Sequence, residues 1–196
     1  MNNLSPVSRI IRHRRSVKPV DLDVARDVSR ALLEHILEDA IWAPNHGMTE
    51  PWRFVVFGGS KRAALADALQ SIYRSTTPPT DFREDKLEKL GQNPLLAPIV
   101  IAACMIRSSG GKIPAWEEES AVSCAIQNLM LSATAEGLAT FWSSPPLLST
   151  SELKSWLGLT EPDKCLGLIY LGWPKAELNP PKSIRKPLST CVEWHQ

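Results

Sequence analysis

Residues 12–18 read Arg-His-Arg-Arg-Ser-Val-Lys. Forked guanidinium donors, a hydroxyl and a lysine point charge within one turn of chain suit a phosphate. Residues 43–54 read Ala-Pro-Asn-His-Gly-Met-Thr-Glu-Pro-Trp-Arg-Phe. This is a polar, turn-rich loop running into an aromatic strand, and it suits the edge and faces of a flat polar ring. Together the two segments point to a phosphorylated, ring-bearing cofactor. Elsewhere the chain has no Gly-x-Gly-x-x-Gly, Walker loop, His-Glu-x-x-His or Gly-x-Ser-x-Gly. His13, His35, His46 and His195 are scattered without metal spacing, and no Ser-His-Asp set is implied. The reading is therefore no catalytic side chain and no metal, with the reactive chemistry carried by the cofactor.

The elements that must position these residues can be read in outline. Ser5-Pro6 starts a short helix over about 6–13, which delivers Arg14, Arg15 and Ser16 to its end. The spacing of Val28, Ala31, Leu32, Ile36 and Ala40 predicts a second helix from about Asp23 to Ile41. Residues 53–57 read as a strand, 60–74 as a helix, and 75–94 as a polar excursion or lid with a short helix near 84–90. Residues 99–106 lack alternation and read as a strand buried on both faces. A long helix from about Trp116 to Ala135 opens on three glutamates, read as helix-dipole partners, and is apolar on most sides. Strands at 139–142 and 165–171 flank a short helix at 152–157, and a proline-bearing tail, 174–196, wraps around something, a second subunit included. The fold class is α+β, in one domain spanning 1–196.

With 43% apolar residues and a net charge of +1, the chain can bury a core and carries no global field toward nucleic acid or anionic membrane. Its longest apolar stretch, 95–106, is too short for a span of about 20 residues. The Arg-rich start shares the composition of organellar presequences, but the phosphate reading accounts for its cations. Cys104, Cys124, Cys165 and Cys191 form no Cys-x-x-Cys; Cys124 and Cys165 read as core thiols, and a reducing cytoplasm is expected. Taken alone, Arg9, Arg12, Arg14, Arg15 and Lys18 also fit a solvated basic helix end.

At these residues the chain resembles the flavin-dependent nitroreductase family, in its small, compact bacterial form. Residues 14–18 resemble the family's phosphate and ribityl motif, and 43–54 its flavin-ring loop. Trp116-Glu117 resembles the start of its central helix, and 137–143 the strand beside the flavin. Residues 167–174 resemble its late strand and exit, and 185–188 its basic tail motif. The resemblance implies a nitroreductase-like fold, a central mixed sheet flanked by helices, in an intertwined homodimer with an extended C-terminal tail. It implies FMN, NADH or NADPH as reductant, and ping-pong transfer to nitroaromatics, quinones or similar acceptors. Arg14, Ser16 and Lys18 would hold the phosphate, ribityl chain and pyrimidine edge, with Arg15 beside them. Pro44, Asn45, His46 and Met48 would reach the ring from the other subunit. Phe141, Trp142 and Ser143 would lie near the ring or the phosphate side, and Arg185 and Lys186 would complete the phosphate site. The chain departs from the pattern at Asn45, His46, Met48, Glu50 and Ser143. A flavin carrier or sensor without turnover is the alternative, and a nucleic-acid or membrane-surface role for the basic helix is a third, disfavoured by the overall charge.

Overall fold

A computed structural model describes residues 4–195. Four strands make the sheet: β1 (Trp52–Gly58), β2 (Ile99–Met105), β3 (Ala139–Ser143) and β4 (Lys164–Gly172), in the order β1-β2-β4-β3. All three ladders are antiparallel. Among the described residues, the mixture of directions expected from the resemblance is confined to one edge, where Ser16 bridges Thr140 in parallel. As its unbroken apolar run demands, β2 is central and buried from Val100 to Met105.

Among the described residues the six α-helices are α1 (Pro6–His13), α2 (Arg30–Ile41), α3 (Lys61–Thr76), α4 (Glu84–Gln92), α5 (Ala115–Ala135) and α6 (Ser151–Trp156). On one face of the sheet α2 and α5 cover Ile101, Ala103, Met105, Ile169 and Leu171. On the other, Leu65 and Leu69 of α3 and Leu153 of α6 cover Val100, Ala102, Leu168 and Tyr170. Each fully buried aliphatic side chain here contributes about 1.5–3 kcal/mol. Asp39 links α2 to α5, accepting from Ser132 Oγ at 2.5 Å through its carboxylate.

The second helix starts seven residues later than its apolar spacing suggests. Ser29 is the N-cap, accepting from Leu32 N at 3.2 Å. The preceding backbone is already committed to the exit of β4. Asp23 N donates to Trp173 O at 2.8 Å, Lys175 N to Asp21 O at 3.0 Å, and Trp173 Nε1 to Asp27 O at 3.1 Å. Tertiary hydrogen bonds have overridden local periodicity. Cys124 also differs from expectation. Cys104 and Cys165 are buried opposite one another across β2 and β4, whereas Cys124 and Cys191 are exposed. α5 is apolar nearly all round, so its sequence did not reveal which side faces outward. Hydrogen bonding with Cys165, then burial, pushes the Cys104 thiol up, which keeps it protonated.

Candidate functional site

The basic segment is built at the end of α1. Ser5 caps the helix, accepting from Ser8 N at 3.1 Å, and Pro6 occupies its first turn. Arg14 closes it, donating its N–H to Ile10 O at 2.9 Å. The chain then runs beside β3, with Val17 N donating to Thr140 O at 3.0 Å and the Val17 side chain buried in the core. Arg14 is half-buried. Burial, then the charges of Arg185 and Arg15, hold its guanidinium below its ordinary value, which places residues from both ends of the chain in one neighbourhood. No carboxylate of the described residues pairs with Arg14 or Arg185. Like charges gathered in this way without a carboxylate partner suit an anion. On β3, opposite Ser16, the buried Thr140 hydroxyl has no hydrogen-bond partner among the described residues.

Arg15 plays a different part. Its Nη1 donates to the carbonyls of Arg12 at 2.6 Å and Arg14 at 2.9 Å, and its Nε donates to Pro181 O at 3.0 Å. It satisfies the helix end and ties the tail to it at Pro181. Ser16, Lys18 and Lys186 are exposed beside this cluster in sequence.

The ring loop follows α2. Ala43 is buried and Asn45 half-buried, while Pro44, His46 and Met48 are exposed. Gly47, Met48 and Glu50 have φ of 65°, 51° and 45°. Left-handed Met48 and Glu50 each cost about 1–3 kcal/mol, a strain that persists only where the surroundings impose it. Two bonds do so here: Asn45 Oδ1 accepts from Glu50 N at 3.0 Å, and His46 Nδ1 meets Glu117 Oε2 at 2.5 Å. The loop is thereby fixed to the first turn of α5. The other two glutamates are also engaged. Buried Glu118 pairs with Arg107 and accepts from Ser108 N at 3.2 Å, and Glu119 accepts from Lys164 Nζ at 2.6 Å. The three carboxylates sequence reading assigned to the helix dipole thus each have a side-chain partner as well.

The trio at the end of β3 is split by the pleat. Trp142 lies on the α5 side over Gly167, where a Cβ would overlap the indole, and its Nε1 donates to Leu166 O at 3.1 Å. Phe141 and Ser143 instead line a cleft of about 840 Å³ together with buried Tyr170. The opposite wall comes from residues 73–93, most of them in the 75–94 segment expected to be an excursion or lid. It is packed in place: Tyr73 Oη accepts from Arg83 N at 3.0 Å, and Gln70 Nε2 donates to Leu87 O at 3.0 Å. Arg83, Lys86 and Lys89 line the cleft from this wall. All three are exposed, within the stretch read from the sequence as a polar excursion or lid. Their three-residue spacing, which sets all three on one side of a helix, was the available signal.

One chain does not bring all of this together. The ring loop sits at the first turn of α5, and the Arg14 cluster lies beside β3, just beyond the last. With 21 residues, α5 is about 30 Å long.

Residues 11–173 match the model of the nitroreductase family. The chain belongs to that family. Among nitroreductase relatives, YdjA of Escherichia coli K12, named an NAD(P)H nitroreductase, is 28% identical over 156 residues, covering 79% of this chain and 82% of YdjA. A nitroreductase-like protein from Bacillus cereus superposes with a TM-score of 0.82 at 27% identity, over 100% of this chain and 99% of the other. A nitroreductase structure from Desulfovibrio desulfuricans, solved in complex with FMN, gives 0.74 at 23% identity, over 99% of each chain, and shows the same fold. Among the described residues, no helix is long and apolar enough to cross a membrane.

Proposed function

We propose that the protein is an FMN-dependent NAD(P)H oxidoreductase, a homodimer that passes hydride from a nicotinamide to nitroaromatics, quinones or similar electron-poor acceptors. The observation that carries this reading is the half-buried Arg14 with Arg185 beside it and no carboxylate partner. A dianionic phosphate fits that cluster in charge and in donor geometry. Ser16 and Lys18 extend it toward the ribityl chain and pyrimidine edge, and Lys186 adds a further cation. Phe141 and Ser143 supply a wall beside the ring. Pro44, Asn45, His46 and Met48 serve the partner chain's ring, because α5 holds them too far from their own Arg14. The apolar side chains left open support such an interface: Trp42 is 84% exposed, Met48 82%, Trp116 66% and Ile184 91%. When bound, FMN relays hydride between nicotinamide and acceptor in two half-reactions at one site. The protein's share is to anchor the phosphate, orient the ring and keep its faces dry. Four unpaired cysteines and a nicotinamide reductant fit a reducing cytoplasm.

The purified protein is expected to be yellow and to bleach with NADH or NADPH under anaerobic conditions. A chain unable to take up FMN overturns the proposal. Yellow protein that neither nicotinamide bleaches favours a flavin carrier or sensor instead, the reading to which the left-handed Met48 and Glu50 and the uncharged Ser143 lend support.

A further inference from the structure

We propose that the cleft between α4 and β3 is the acceptor subsite and that Lys86 makes it select flat aromatic acceptors bearing a carboxylate. This rests on the reading of the protein as a flavin oxidoreductase. The walls have two chemistries. Tyr73, Phe141, Tyr170 and Leu147 give aromatic and aliphatic surface suited to a planar ring. Burial pushes the Tyr170 phenol well above its ordinary value, so it stays a neutral donor at the cleft wall.

The second chemistry is charge. Three cations, Arg83, Lys86 and Lys89, line the cleft against one carboxylate, Asp81. Arg83 and Lys89 are both engaged by Asp85, at 2.8 and 3.2 Å. Lys86 pairs with no carboxylate of the described residues. It is therefore the cation of this wall that remains to meet an incoming anion. The proposed phosphate site does not need it, since Arg14 and Arg185 gather beside the open edge of β3 that Ser16 bridges, away from the face that lines the cleft. An acceptor whose ring stacks in the cleft and whose carboxylate reaches Lys86 satisfies both walls at once.

The experiment uses the FMN-loaded enzyme with NADPH and two acceptors of matched shape, 4-nitrobenzoate and neutral 4-nitrobenzamide. The wild type is expected to prefer the carboxylate by roughly fivefold in kcat/KM at low salt, the scale of one partly exposed ion pair, and to lose that preference as salt rises. Lys86→Gln should abolish the preference through the KM of nitrobenzoate, while Lys86→Arg retains it. Bleachable enzyme with no preference, or with one unchanged in Lys86→Gln, overturns this proposal alone. So does a Lys86→Gln variant that loses affinity for FMN but not for riboflavin, because the lysine would then serve the phosphate. A chain that binds no flavin, or whose flavin neither nicotinamide bleaches, overturns this proposal together with the oxidoreductase reading.

Discussion

At the scale of residues, the two arginines of the Arg14-Arg15 pair have separate duties. Arg14 has no carboxylate partner among the described residues, whereas Arg15 spends its donors on backbone carbonyls. Arg14→Ala is expected to weaken FMN by about 10- to 100-fold, the cost of one charge-assisted contact, with riboflavin affinity little changed. Fluorescence titration with both flavins checks this. Glu118 is the most exacting buried charge. Burial opposes its ionisation, but hydrogen bonds from Ser108 and Arg107 prevail and hold its carboxyl below the usual value of 4.5. Asp163 is likewise depressed: burial raises it, and Thr160 and the Arg107 backbone more than offset this. A depressed carboxylate stabilises the fold fully above its unfolded value and loses that contribution as pH falls through the folded one. Stability should therefore drop below about pH 4.5. Glu118→Gln should cost about 3–5 kcal/mol at neutral pH by leaving Arg107 uncompensated, and should flatten that acid limb in urea titrations.

At the scale of elements, β3 is where the site is organised. One edge receives the segment after α1, one face feeds the cleft, and the other holds Trp142 against Gly167. Gly167→Ala should lift the indole from its bed and break its bond to Leu166 O. An overpacking cost of about 1–3 kcal/mol is expected, read as a lower urea midpoint together with a shift in tryptophan emission. The wall formed by 73–93 shows why a polar, proline-containing stretch need not be loose. Leu87 is buried, and Tyr73 and Gln70 of α3 hold the backbone of Arg83 and Leu87.

At the scale of the whole molecule, the proposed half-sites at opposite ends of α5 would make assembly part of the cofactor site. Light scattering is expected to give twice the chain mass, with flavin retention falling as the protein is diluted into monomer. Complementation is a sharper check. Chains carrying Arg14→Ala, mixed and refolded with chains carrying Asn45→Ala and His46→Ala, should recover one intact site in each mixed pair. No recovery of flavin binding would place both halves in a single chain.

The sequence by itself determined the basic cluster proposed to take the phosphate, because Arg-Arg-Ser-Val-Lys is contiguous and one short capped helix suffices to present it. It also determined β2, whose uninterrupted apolar run admits no surface position, and the existence of α5, though not which of its sides faces outward. Only the tertiary structure decided that Arg15 serves the backbone, that residues 23–29 join the β4 exit instead of α2, and that Trp142 turns away from Phe141 and Ser143. The structure alone revealed the cationic cleft wall. Each of these depends on hydrogen bonds or packing between residues far apart in the chain, and local periodicity carries no record of such partners.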